Sequence, residues 1–340
     1  MPRPHERAEV ELGRPGETHF ARTADGWDLA LRRYAGGDSH LPVILCPGYG
    51  CSALFLDYDE RHSLARYLAR SGFDAWTLDL RGRGASRPVD GGRGRWRWTF
   101  DDFVRYDLPS AIDAVRRATG RRRIAWVGHS MGGSAMYAFL GTSPLGREAV
   151  AALVTIASPV VYPAVPRELI RRFGRALVGL PFPLPAVPQR VVVGALWNAL
   201  GFTRFIRIGM NPLNVDRRLA RSVLRATLHD VPWAKLRQLA MWSSEQVFCS
   251  EDRSVDYRAE LGRIETPLLA AAGADDRLAP PSSVRLGVDE VSSRDRTFIE
   301  FGERSGFSTD YGHIDLIFGR DAPDEVFPKV RDWLSRRTRR

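Results

Sequence analysis

The 340-residue chain is short of lysine, of cysteine and of long apolar runs. Of its 50 basic residues only Lys235 and Lys329 are lysines, so arginine carries nearly all of the net charge of +10. GC-rich coding is the expected origin of such a skew; a bias toward anionic surfaces is the alternative and requires the charges to cluster. No groove-reading helix or base-stacking motif accompanies it, so nucleic acid is not an expected partner. Three cysteines, Cys46, Cys51 and Cys249, leave an odd thiol and no disulfide framework, which makes the reducing cytoplasm the simplest expected location. No apolar stretch approaches the roughly 18 residues of a membrane span. The longest candidate, residues 191–202, is interrupted by Asn198. Residues 1–17 are charged and contain proline, without the apolar segment of a signal peptide. No metal-ligand spacing and no phosphate loop is present, so no cofactor is expected. The length suits one large α/β domain carrying an insertion.

Short β-rich runs alternate with helical stretches, the pattern of a mostly parallel sheet with crossover helices. Residues 18–23 and 27–34, joined at Asp25-Gly26, read as an opening hairpin. Strands are expected at 43–46, 73–80, 124–127, 149–157, 266–272 and 297–301, and helices at 62–70, 103–119, 132–140, 281–286 and 324–337. Between residues 160 and 256 strand character stops, and the segment is proline-punctuated and helical in pattern. The expected organisation is a core built from residues 1–158 and 259–340, with a helical lid over 159–258 inserted between sheet strands.

The chemistry gathers at Gly128-His129-Ser130-Met131-Gly132, a G-x-S-x-G pattern between a strand and a helix. Gly128 and Gly132 remove the Cβ atoms that would clash where a strand folds sharply onto a helix. Ser130 is then held with its hydroxyl exposed beside free helix N–H groups. A serine hydroxyl needs a base, and the base needs a carboxylate to fix its tautomer. In this architecture the chain order is Ser, then acid, then His. His5, His19 and His40 precede the core, His62 starts a helix, His129 belongs to the turn and His229 lies in the insertion. His313 remains, after the last strand. The acid belongs after the strand before it, where Asp275 and Asp276 are adjacent; the Gly-x-x-Asp spacing from Gly273 favours Asp276. Two backbone donors for an oxyanion are expected at Met131 and Tyr49, with Gly50 as the fallback for the second.

With these residues placed, the chain resembles the acid lipases, the lysosomal and gastric lipase type of α/β-hydrolase. The matching runs are 63–76 (SLARYLARSGFDAW), 98–113 (WTFDDFVRYDLPSAID), 127–132 (VGHSMG) and 311–323 (YGHIDLIFGRDAP). The resemblance implies an α/β-hydrolase fold and esterase or lipase activity, with Ser130, Asp276 and His313 as the triad. Pro47-Gly48 stands where the family has His-Gly, and Met131 where it has Gln, so the substrate is not carried over.

Within the insertion, residues 167–180 form a basic amphipathic pattern, with Arg167, Arg171, Arg172 and Arg175 opposite Leu169, Ile170, Phe173, Leu177 and Leu180. Such a helix ordinarily packs its apolar face on the domain below. Lying on an anionic membrane is the alternative. Either arrangement offers an apolar pocket to a hydrophobic ester. The leading expectation is a serine ester hydrolase acting on a small-molecule or lipid ester. Acyl transfer on the same fold and a non-catalytic binding protein are the alternatives; the serine itself disfavours dehalogenases and epoxide hydrolases, which need aspartate there.

Overall fold

The computed structural model describes residues 16–91, 96–163, 186–207 and 209–339. The opening hairpin pairs β1 (Thr18–Arg22) with β2 (Trp27–Tyr34), setting Phe20 opposite Ala30. The sheet continues through β3 (Val43–Cys46), β4 (Ala75–Leu78), β5 (Arg87–Pro88), β6 (Ile124–His129) and β7 (Val150–Ile156). A short separate ladder joins β8 (Ala186–Val187) to β9 (Val231–Pro232), and β10 (Leu268–Gly273) and β11 (Arg296–Phe301) complete the main sheet. Its strand order is β1-β2-β4-β3-β6-β7-β10-β11, with β5 on β2. Pairings from β4 through β11 are parallel, and those made by β2 are antiparallel. Every residue of β3, β4, β6, β7 and β10 is buried, as strands covered on both faces require.

Helices α1 (Leu64–Arg70), α2 (Phe100–Asp102), α3 (Leu108–Thr119), α4 (Met131–Thr142) and α5 (Pro144–Ala149) fall between these strands. The insertion carries α6 (Gln189–Ile206), α7 (Arg217–Thr227) and α8 (Trp233–Glu245), and the chain closes with α9 (Pro281–Asp289), α10 (Asp315–Phe318) and α11 (Ala322–Thr338). Helices α1, α4, α9 and α11 pack on β4, β6, β10 and β7. No helix among the described residues is long and apolar enough to cross a membrane.

The element boundaries differ from expectation where side chains intervene. The helix expected over 62–70 begins at Leu64 because Ser63 caps it, accepting the Arg66 N–H at 3.0 Å. The helix expected from 103 begins at Phe100, where Thr99 and Asp102 form a reciprocal capping box. It then widens into a π turn over Phe103–Asp107. That turn ends on Asp107, a fully buried carboxylate that takes the Nε–H of buried Arg81 at 2.8 Å. Widened turns of this kind are rare and occur frequently at functional sites. Among the described residues of 160–256, the strand-free reading misses the two-residue ladder of β8 and β9, too short to leave a period. The basic amphipathic pattern of 167–180 lies outside the described residues.

Candidate active site

Strand β6 delivers Ser130 into a backbone conformation that a side chain adopts only under constraint, with φ 52° and ψ −123°. The constraint is visible on both sides. Ser130 N–H bonds to the Ile156 carbonyl at 2.7 Å, continuing the parallel ladder, while its own carbonyl accepts from Gly133 and Ser134 and starts α4. A Cβ at Gly128 would collide with the backbone N of Gly133, and one at Gly132 with the carbonyl oxygen of Cys46. The two glycines are therefore steric requirements of the turn.

The loop after β3 closes on the same point. A Cβ on Gly48 would stand 2.9 Å from Ser130 Cβ, so this backbone passes directly over the serine. Tyr49 follows it, and Met131 is the first residue of α4. The two residues expected to supply oxyanion donors thus lie on the two backbone segments that meet at Ser130. Gly50, the fallback, has φ 73° and faces Gln189 of α6.

His313 is brought to the serine from 183 residues away, its Nε2 lying 2.8 Å from Ser130 Oγ. Its Nδ1 lies 2.8 Å from Asp276 Oδ2. The other oxygen, Asp276 Oδ1, accepts the N–H groups of Leu278 and Ala279, each at 2.8 Å. The neighbouring Asp275 turns outward toward Arg277. A hydroxyl, an imidazole and an anchored carboxylate therefore form one hydrogen-bonded line, mostly buried.

Sequence reasoning passed over the residues that hold this line. His129 belongs to the turn by sequence, yet its Nε2 lies 3.0 Å from the His313 carbonyl oxygen and its ring packs edge-on against the His313 ring. Burial, and then the neighbouring imidazole of His313, press its pKa down to about 3. Asp315 is fully buried and accepts from Gly312 N–H and Asn214 Nδ2, both at 2.9 Å. Burial raises its pKa to about 6. Asn211 Nδ2 donates to the Asp310 carbonyl at 2.7 Å, and Ile314 N–H to the Gly209 carbonyl at 2.8 Å. The insertion is thereby tied to the histidine loop on both sides of His313. The His-x-Asp run at 313–315 was the one sequence signal for any of this.

Lys235 is a second residue without a sequence signal. It is 2% exposed, and its Nζ lies 4.5 Å from the ring centre of Phe103 and 4.7 Å from that of Tyr49. Burial, followed by the charge of Arg83, holds its pKa well below that of an ordinary lysine. Among the described residues no group of three or more His, Cys, Asp or Glu side chains is gathered as a metal site.

Comparison with known proteins agrees with this architecture. Residues 42–318 match the alpha/beta hydrolase fold family. The gastric triacylglycerol lipase of Bos taurus is 31% identical, the alignment spanning 94% of this chain and 87% of that protein. Among solved structures, the monoacylglycerol lipase of Paleococcus ferrophilus superposes with a TM-score of 0.61 at 18% identity, over 91% of this chain and 99% of the other. A thermophilic esterase from Thermogutta terrifontis gives 0.61 at 17% identity, over 94% and 99%. The chain belongs to the alpha/beta hydrolase fold family, with a lipase- and esterase-type architecture.

Proposed function

We propose that the protein is a serine ester hydrolase that cleaves a hydrophobic carboxylic ester. The observation that carries this reading is the hydrogen-bonded line from Ser130 Oγ through His313 to Asp276, built at a strained turn. Ser130 Oγ attacks the carbonyl carbon as His313 Nε2 takes its proton. The carbonyl oxygen, now an oxyanion, accepts from the Tyr49 and Met131 N–H groups. The intermediate collapses, the C–O bond to the alcohol breaks, and His313 returns the proton to the leaving oxygen. Water then gives a proton to His313 and attacks the acyl-enzyme; the carboxylic acid leaves and Ser130 recovers its hydrogen. Asp276 keeps the Nδ1–H of His313 in place throughout, itself held by two backbone donors.

The names of the relatives, triacylglycerol and monoacylglycerol lipases among them, support an ester of lipid character. In this reading the insertion over 159–258 is a lid whose ties to the His313 loop couple cover and catalysis. The three cysteines are free thiols, which supports a cytoplasmic setting. Hydrolysis of p-nitrophenyl esters from acetate to palmitate by the parent and by Ser130→Ala tests the proposal. The expected result is a medium- or long-chain optimum, reduced about 10⁴-fold or more in the variant. Equal rates in the two proteins would contradict it.

A further inference from the structure

Helices α6 and α7 lie side by side in the insertion and enclose a cleft of about 120 Å³ away from Ser130. Three arginines reach it: Arg190 from α6, and Arg221 and Arg225 from successive turns of α7. Its walls are otherwise largely apolar, with Val193, Trp197 and Leu224 prominent, and among the described residues no acidic one lines it. Among the described residues none of the three guanidinium groups makes an ion pair; by contrast Arg237, on α8 of the insertion, pairs with Glu251. Arg190 is nonetheless fixed, because its Nε–H bonds to the Leu228 carbonyl at 2.6 Å. The nearest acid of α7, Asp216, is engaged in capping that helix through the Arg218 and Leu219 N–H groups. Unneutralised guanidinium groups over an apolar floor recognise an anionic head with a hydrocarbon attached.

The surroundings favour a surface over a soluble anion. Val191, one residue beyond Arg190, is 67% exposed, and Leu213, just before α7, is 79% exposed. An exposed apolar side chain next to a cleft arginine, as Val191 is to Arg190, has the composition of an interfacial contact. The two helices also share a small core of their own, in which Trp197, Ile206 and Ala220 meet, and Ile314 packs on its edge. Whatever holds these helices is one residue from His313.

We propose that the Arg190–Arg221–Arg225 cleft is a docking site for an anionic phospholipid surface, its three guanidinium groups taking lipid phosphates while Val191 enters the interface. The site is separate from the ester-cleaving centre, so its test does not depend on that reading. The full chain is sedimented with vesicles of phosphatidylcholine alone and with vesicles that also contain phosphatidylglycerol. The expected result is binding to the anionic vesicles only, weakened by salt, and lowered roughly tenfold or more by Arg221→Glu/Arg225→Glu. Arg221→Gln/Arg225→Gln, which introduces no repulsion, is expected to weaken binding in the same direction. Far-UV circular dichroism spectra and thermal unfolding midpoints matching those of the parent verify that both variants fold. Equal binding to both vesicle types, or unchanged binding by the variants, would overturn the proposal; the second outcome would move membrane contact to another part of the chain. Protection against thermal unfolding by inorganic phosphate without vesicle binding would overturn it in favour of a free-anion site.

Discussion

His129 and Lys235 are buried bases that the fold holds away from their ordinary protonation. An imidazole that titrates near 6.5 in the unfolded chain and near 3 in the folded protein takes up its proton first on unfolding. Its contribution to stability is therefore complete above pH 6.5 and lost as pH falls toward 3. His129→Asn is expected to unfold with a shallower acid dependence than the parent, the difference amounting to a few kcal/mol, on the order of 1.4 per pKa unit. Urea titrations at a series of pH values measure it; parallel curves for the two proteins would contradict the account. The sign for Lys235 follows from the same linkage. Its amine holds a proton up to pH 10.5 in the unfolded chain but loses it earlier in the fold, so stability rises with pH across that interval. Lys235→Met, which fills the same aromatic space without an amine, is expected to raise stability near neutrality, read as a higher urea midpoint. The gain should narrow as pH approaches 10.5. A destabilised variant would show that the amine has a favourable partner.

At the scale of elements, the strand–turn–helix around Ser130 was legible because its glycines and its apolar run are contiguous in sequence. The same holds for β10 and for the order of Ser130, Asp276 and His313 along the chain. The supports were not legible, because they are made by distant residues with no local pattern. Asp315 meets Asn214 across 101 positions, and Asn211 reaches the Asp310 carbonyl across 99. The π turn before α3 was equally hidden, since it ends on Asp107, whose buried partner Arg81 lies 26 positions away. Asp275 and Asp276 were separable only weakly by spacing; the outward ion pair of Asp275 with Arg277 distinguishes them in space. If Asp315 positions the histidine loop, Asp315→Ala lowers kcat by about ten- to a hundredfold and leaves KM nearly unchanged. Michaelis kinetics on a soluble ester would show it. An unchanged kcat, or a loss confined to KM, would mean that His313 is held adequately without this carboxylate.

Across the whole molecule, the parallel sheet is what makes a site out of residues so far apart. The loops after β3, β6, β10 and β11 all leave the same edge, the carboxyl ends of parallel strands, which is where open α/β sheets bind their ligands. The insertion returns to that edge through Gly209, Asn211 and Asn214, and its cationic face turns to a cleft of its own. The proposed chemistry and the proposed docking thus belong to different parts of one chain. The central claim is that Ser130 is a nucleophile activated by His313. Intact-protein mass spectrometry after treatment with a fluorophosphonate tests it without any assumption about the substrate. The account predicts a single phosphonyl adduct mapped to Ser130, absent from Ser130→Ala and formed far more slowly by His313→Ala. An unlabelled parent, or an adduct that persists in Ser130→Ala, would contradict it.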